Sequence, residues 1–144
     1  MAKSTPHITA SELAIMKVLW KLGAATVRQV LDGLPPDEAG PPAYTTVMTM
    51  MKQLADKGAL NVDRARQPFV YSPAVGREAV MGQRVLHLLQ NVFDGQTEEL
   101  VLHLVEEADL SAQDLRRIEA KIRRREQADQ ARRKAGSTGK EDTP

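Results

Sequence analysis

Hydroxyl, amine and amide side chains recur through residues 45–57 at a spacing that places them on one face of a helix. At about 100° per residue, Thr45, Thr49 and Lys52 share an arc opposite the apolar positions, which are Val47, Met50, Met51 and Leu54. Such polar groups can hydrogen-bond to base edges and phosphates in the major groove of DNA. The candidate DNA-contacting residues of this helix are Thr45, Thr46, Met48, Thr49, Lys52 and Gln53.

Three arginines outside this helix are weaker candidates. Arg64 and Arg66 lie near the tip of a predicted hairpin, where they could touch phosphates or the minor groove, and two ordinary surface arginines are an almost equal alternative. Arg28, on the preceding helix, could support a phosphate contact. Asp56 would repel phosphate, so we expect it to point past the duplex or to pair with Lys57.

Catalysis and metal binding have little support in the chain. The histidines are His7, His87 and His103, each on a different predicted segment, and there is no cysteine. His103, Glu106 and Glu107 have a spacing that could hold a metal on one helix face, but a solvated face is the favoured interpretation. Phosphate-binding glycine loops and nucleophile elbows are absent from the sequence. We predict no enzyme, no metal and no cofactor.

Composition limits the remaining possibilities. The chain has 144 residues, 42% of them hydrophobic but only 3% aromatic, which favours packed helices over a sheet sandwich. Without cysteine, it suits a reducing cytoplasm. No apolar run is long enough for a signal sequence or a membrane helix, so we expect a cytoplasmic protein with no membrane partner.

The N-terminal half predicts three helices followed by two short strands. Thr9 and Glu12 have the spacing of a capping box that starts a helix over residues 10–22, and Thr26 can cap a second over 27–34. Residues 35–42 contain four prolines and form a turn before the third helix. Strand-like runs at 59–65 and 69–74 complete a winged helix-turn-helix with the hairpin as wing.

The C-terminal half predicts three helices whose apolar stripes are too narrow for a core of their own. They cover residues 77–93, 98–107 and a segment from Ala112 onward. A second copy of the chain would bury these stripes best, so we expect a homodimer. The predicted dimerisation residues are Met81, Val85, Leu88, Leu89, Val92, Leu100, Val101, Leu104, Leu115, Ile118 and Ile122.

The predicted fold is therefore mostly α with a small β-hairpin: a winged helix-turn-helix head plus a three-helix C-terminal dimerisation arm. The head occupies residues 1–75 and the dimerisation domain residues 76–125, followed by a disordered tail over 126–144. A basic run extends from the end of the dimerisation domain into the tail. It consists of Arg123-Arg124-Arg125 with Arg132-Arg133-Lys134, and it fits either nonspecific phosphate binding or a solubilising helix end. The second interpretation is favoured, because cations suit a helix C-terminus.

Several short motifs resemble the BlaI/MecI/CopY family of bacterial repressors, in order over about residues 7–125. They are Ile8-Thr9-Ala10-Ser11-Glu12, Val18-Leu19-Trp20, Ala25-Thr26-Val27-Arg28-Gln29-Val30, Tyr44-Thr45-Thr46-Val47-Met48-Thr49, Leu54-Ala55-Asp56-Lys57-Gly58, Tyr71-Ser72-Pro73 and Val105-Glu106-Glu107-Ala108-Asp109-Leu110-Ser111. The resemblance implies a dimer joined through the C-terminal helices, with each head on half of a palindromic operator in double-stranded DNA.

The resemblance also bears on how such a repressor is released. In members that control β-lactam resistance, a signalling protease cuts an Asn-Phe bond in the penultimate helix, which aligns here with His103-Leu104. The cysteine-rich tail of the copper-responsive members is absent. Two alternatives stay open: a winged helix that binds a protein partner, and a repressor released by a small-molecule ligand.

Overall fold

The computed structural model describes the backbone of residues 5–141 and the side chains of residues 5–136. The described part contains six helices and one antiparallel hairpin. They are α1 (Ala10–Leu22), α2 (Val27–Gly33), α3 (Tyr44–Asp56), β1 (Leu60–Asp63), β2 (Val70–Pro73), α4 (Arg77–Asn91), α5 (Thr97–Glu107) and α6 (Ala112–Glu141). The predicted order of elements is confirmed, with ends that differ by a few residues.

The first helix begins at the predicted capping box. Thr9 Oγ1 accepts a hydrogen bond from the Glu12 backbone N–H at 3.2 Å, and Glu12 Oε1 accepts one from the Thr9 N–H at 3.0 Å. These bonds satisfy donors that a helix start leaves unpaired. The helix buries Ile15, Met16 and Leu19 and stops at Gly23, whose φ of 84° a residue with a Cβ adopts only with strain.

The second and third helices complete a three-helix core. Thr26 and Gln29 form a second capping box, and α2 buries Val27 and Val30. The third helix buries Val47, Met51 and Leu54, with Met50 half-buried beside them, which confirms the predicted core face. Burying such large aliphatic side chains stabilises the fold by about 1.5–3 kcal/mol each.

The hairpin closes the head against these helices. Leu60 pairs with Pro73 and Val62 with Tyr71, and the Tyr71 backbone also exchanges hydrogen bonds of 2.8 and 2.9 Å with Ala25. Tyr71 is therefore buried, whereas the tip of the hairpin is exposed. The two strands thus form a wing whose base is held by the chain between α1 and α2.

By its internal contacts the chain divides into two compact units, Met1–Asp94 and Gly95–Pro144. The first includes α4, because Val80 is fully buried in the head core and Trp20 Nε1 donates to the Val75 carbonyl just before α4. The sequence stripe of α4 did not include Val80. The prediction of a dimerisation domain that starts at residue 76 concerns the assembled pair and stays a prediction.

The second unit consists of α5 and α6. In α5 no residue is buried. The start of α6 is capped by Ser111 and Asp114, each of whose side chains accepts from the other's backbone N–H, at 3.0 and 3.1 Å. No helix in the described part of the chain is both long and apolar enough to cross a membrane.

The C-terminal segment differs from the expected disordered tail over residues 126–144. The structure continues α6 to Glu141, while residues 142–144 lie outside the described part. The apolar stripe ends near Ile122, but the helix continues, because residues 123–135 consist almost entirely of Arg, Lys, Glu, Gln and Ala, which are strong helix formers. An ion pair of 3.7 Å between Arg123 and Glu119 adds local support.

Candidate nucleic-acid interface

The outer face of α3 is exposed along its whole length. Thr45, Met48, Thr49, Lys52 and Gln53 all lie on the solvent side, because Val47, Met51 and Leu54 turn the opposite face into the core. Thr49 Oγ1 donates a hydrogen bond of 2.8 Å to the Thr45 carbonyl oxygen. Its own hydrogen is thereby used within the helix, so the hydroxyl faces solvent as an acceptor beside its methyl group. That combination suits the amino groups and thymine methyls of a major groove.

A groove runs between α3 and the wing, and it joins the two predicted contact regions. Its lining residues are Met48, Thr49, Lys52, Ala55, Asp56, Val62, Arg64, Phe69 and Tyr71. The helix side supplies the polar groups of Thr49 and Lys52, and the wing supplies Arg64. Thr49 and Lys52 of α3 therefore lie along one surface with Arg64 of the hairpin, which is more distant in sequence.

The charges of this groove are unevenly paired. Within the described part of the chain, no acidic group lies within ion-pair distance of Lys52 or Arg64. Asp56 lines the same groove, and Lys57, its expected partner, binds elsewhere. Lys52 and Arg64 are therefore available to bind a polyanion, whereas Asp56 in the same groove would repel it.

The other two candidate arginines, Arg66 and Arg28, form ion pairs at the surface. Arg66 lies 3.6 Å from Asp63 within the hairpin, and Arg28 lies 3.6 Å from Asp32 on α2. These side chains are mostly exposed, so each pair contributes little stability and can exchange its partner for a phosphate.

Not all predicted contact residues share the groove. Thr46 lines a separate cleft between α1, the proline-rich loop and α3, together with Ser11 and Pro42. Thr45 and Gln53 are exposed on α3 but do not line the groove beside the wing. The structure therefore brings together Met48, Thr49, Lys52 and Arg64, and leaves the others on neighbouring surfaces.

Sequence reasoning missed an ion pair between the C-cap of α3 and the buried carboxylate of Glu12. Lys57 Nζ lies 2.7 Å from Glu12 Oε1 and donates to the His7 carbonyl at 2.9 Å. Burial by itself would raise the pKa of the Glu12 carboxyl, but the hydrogen bonds from Lys57 and Thr9 outweigh it and hold the pKa below its ordinary value. Glu12 was identified only as a capping residue, and nothing in the spacing of residues 12 and 57 signals the pair.

The N-terminal segment is also tied to α4. Gln83 Nε2 donates to the Thr5 and Pro6 carbonyls at 2.8 and 2.9 Å, and its Oε1 accepts from the Ile8 N–H at 3.3 Å. The rings of His7 and His87 lie 5.3 Å apart. Residues 5–8 thus connect α4 to the end of α3, through side chains that no motif identified.

The predicted dimerisation residues are largely uncovered in the single chain. The exposed ones are Val85 and Leu88 on α4, Val92 at its C-cap, Val101 and Leu104 on α5, and Leu115, Ile118 and Ile122 on α6. Met81, Leu89 and Leu100 are half-buried. So many exposed large aliphatic side chains are unusual for a monomer.

The predicted cleavage bond lies inside a helix. His103 and Leu104 are consecutive residues of α5, and both are exposed. Among the described residues, no group of three His, Asp or Glu side chains is placed to hold a metal ion, and the His103, Glu106 and Glu107 spacing does not form one.

Comparison with known proteins places these features in context. Residues 8–124 match the family model described as penicillinase repressor. The chain is 29% identical to the penicillinase repressor of Bacillus licheniformis over 116 residues, covering 81% of this chain and 89% of that protein. It is 36% identical to the transcriptional regulator BlaI of Mycobacterium tuberculosis over 127 residues, covering 83% and 90%. A solved structure of the B. licheniformis BlaI monomeric form in complex with the blaP half-operator aligns with 33% identity and a TM-score of 0.44, covering 55% of this chain and 93% of that one.

Proposed function

Because the chain belongs to the penicillinase repressor family, we propose that it is a sequence-specific DNA-binding transcriptional repressor that acts as a homodimer on a palindromic operator. The observation that carries the proposal is the groove in which α3 and the wing bring Thr49, Lys52 and Arg64 together. These groups suit two different parts of a duplex, the base edges and the phosphates.

In this proposal α3 enters the major groove and reads sequence. Thr49 presents its acceptor oxygen and methyl group, Met48 presents an exposed thioether beside it, and Gln53 can bond a base or a phosphate. Lys52 contacts the backbone as a point charge. Thr45 and Thr46 lie in the first turn of α3, where their hydroxyls can reach phosphate oxygens.

The wing and α2 hold the head in register. Arg64 approaches the backbone or the minor groove from the hairpin, with Arg66 as a second contact once it leaves Asp63. Arg28 lies on α2, the first helix of the helix-turn-helix pair, where a phosphate contact fixes orientation without reading bases.

The homodimer follows from the uncovered stripes of α4, α5 and α6. A second copy offers the same apolar residues, so pairing removes both sets from water. Joining two heads makes the second half-site contact intramolecular, which raises operator affinity without any new contact. The proposed operator is therefore two half-sites related by the dimer axis.

Release follows from loss of the arm. A signalling protease that cuts between His103 and Leu104 would detach α6 and the end of α5 from each head, and with them Leu115, Ile118 and Ile122. The heads, whose core residues lie between Ile8 and Val80, would remain folded as separate units. Repression would end because each head alone binds its half-site weakly.

Footprinting and titration with the DNA upstream of the chain's own gene test the proposal. We expect a protected, two-fold symmetric site, and binding that is at least about a thousand-fold tighter than to random duplex of the same length. Affinity should fall steeply with salt, since several phosphate contacts release counterions. Equal affinity for the protected site and for random DNA would overturn the proposal.

A further inference from the structure

The cations of α6 are concentrated on one side of the helix. Residues 116–134 contain nine Lys or Arg and three Asp or Glu, and all of them are exposed. At about 100° per residue, eight of the nine cations fall within an arc of about 200° that contains none of the three acidic residues of this segment, although Asp114, one turn earlier, lies on the same side. This cationic face consists of Arg116, Arg117, Lys121, Arg123, Arg124, Arg125, Arg132 and Lys134.

The opposite side of the helix has a different character. It contains the apolar residues Leu115, Ile118 and Ile122 together with the three acidic residues of the segment, Glu119, Glu126 and Asp129. When the apolar side packs against a second copy, the cationic face stays in solvent. A charge distribution made only for solubility would not need to separate cations from anions in this way.

Several cations of this face have no acidic partner among the described residues. Arg117 and Arg123 have exposed partners, Asp114 at 3.9 Å and Glu119 at 3.7 Å. Among the residues whose side chains the structure describes, no acidic group lies within ion-pair distance of Lys121, Arg124 or Arg132. These charges repel one another along the helix, so an anionic ligand that spans several of them would be bound favourably.

On these observations we propose that the cationic face of α6 is a second, sequence-independent binding surface for the phosphate backbone of duplex DNA. This inference rests on the proposed function, since the DNA held by the heads raises the local concentration of phosphates for a covalently attached helix. The face extends over about 27 Å at 1.5 Å per residue, and a duplex offers one phosphate per about 1.7 Å of its axis. Several cations can therefore be neutralised at once.

The structure favours DNA over a membrane surface. Amphipathic helices that bind membranes need large apolar residues opposite their cations. Between Arg123 and Lys134 the only apolar residues are Ala128 and Ala131. The family model ends at residue 124, so Arg125, Arg132 and Lys134 lie outside the segment that the family model matches.

A matched pair of triple variants tests the proposal in the full-length chain. The first, Arg124→Gln, Arg125→Gln and Arg132→Gln, removes three unpaired cations from the cationic face and keeps good helix formers. The second, Lys17→Gln, Lys21→Gln and Arg133→Gln, removes the same charge from exposed positions outside it. Affinity for operator and for random duplex is measured at several salt concentrations, with circular dichroism as the check on folding.

The first variant should bind both duplexes more weakly by a similar factor, and the slope of log K against log salt should fall by at least about one, at about 0.9 per phosphate contact. The second variant should show the same slope as the unmodified chain. A charge-preserving variant, Arg124→Lys, Arg125→Lys and Arg132→Lys, should also keep it.

Equal slopes for the two Gln variants would overturn the proposal, as would a loss confined to operator DNA. Weaker binding of the first variant to vesicles of phosphatidylserine and phosphatidylcholine, with unchanged DNA binding, would assign the face to membranes and also overturn it. If the unmodified chain fails to distinguish operator from random DNA, the proposed function fails, whereas a reduced slope on random DNA would still support the second surface.

Discussion

Lys57 Nζ lies 2.7 Å from Glu12 Oε1, so an ion pair joins the C-cap of α3 to the first turn of α1. Glu12 is buried and also completes the capping box of α1, while Lys57 donates to the His7 carbonyl as well. One carboxylate therefore starts a helix and fixes the end of another.

Replacing Glu12 with Gln should remove the charge while keeping the capping box, since Gln29 fills the same position in the box of α2. We expect the free energy of unfolding to fall by about 1–3 kcal/mol, because Lys57 loses its buried partner. Urea unfolding measures the change. Asp32→Asn, which breaks the exposed pair with Arg28, is the control and should cost less than about 0.5 kcal/mol. Equal costs would show that the Glu12 pair is no more important than a surface pair.

The same pair predicts how stability depends on pH. The pKa of Glu12 is lower in the folded protein than its ordinary value of 4.5, so the unfolded chain binds the proton more readily. The pair's contribution is fully present above 4.5 and is lost as the pH falls through the lowered folded pKa. The difference in unfolding free energy between the unmodified chain and Glu12→Gln should therefore shrink below that value. A difference that grows on acidification would reverse the assigned sign.

The two sides of the groove should respond differently to truncation. Thr49→Ala removes a group proposed to face bases, so it should reduce the operator-to-random affinity ratio roughly five- to ten-fold. Arg64→Ala removes a backbone contact, so it should weaken both duplexes alike and lower the salt slope by about one. Competition titrations on operator, single-base variants and random DNA distinguish the two. The opposite pattern would exchange the roles of helix and wing.

The arm should hold the chain as a dimer at low micromolar concentration. Ile118→Glu places a charge in the exposed apolar stripe of α6 and should yield monomers, since burying an unpaired carboxylate costs several kcal/mol. Gln130→Glu adds the same charge farther along α6 and should remain dimeric. Sedimentation velocity gives the answer. A monomeric unmodified chain would remove the basis of the homodimer proposal.

A chain that ends at Leu102 should bind operator weaker by orders of magnitude while its head stays folded. It lacks α6 and half of α5, so the second head is no longer tethered. We expect the circular dichroism of the head to be nearly unchanged per residue, whereas operator affinity should be lost. If this shortened chain dimerises and binds as tightly as the full one, cutting at His103-Leu104 cannot release it from DNA.

Local signals in the sequence were sufficient for most of the elements. The Thr9–Glu12 box and the Thr26 cap identify helix starts, because a capping bond needs only residues a few positions apart. The apolar period of α3 predicts that Val47, Met51 and Leu54 are buried, since a helix fixes which residues share a face. The apolar stripe of α6 does not report where the helix ends, because strong helix formers continue the helix beyond Ile122.

Tertiary structure alone decided which distant residues meet. Residues 12 and 57 pair because α1 and α3 cross at that point, and Val80 is buried because α4 returns to the head core. Lys52 and Arg64 line one groove because the paired strands of the wing lie beside α3. Side-chain periodicity reports the face of a single element, whereas contacts between elements depend on how their faces pack, which no spacing along the chain encodes.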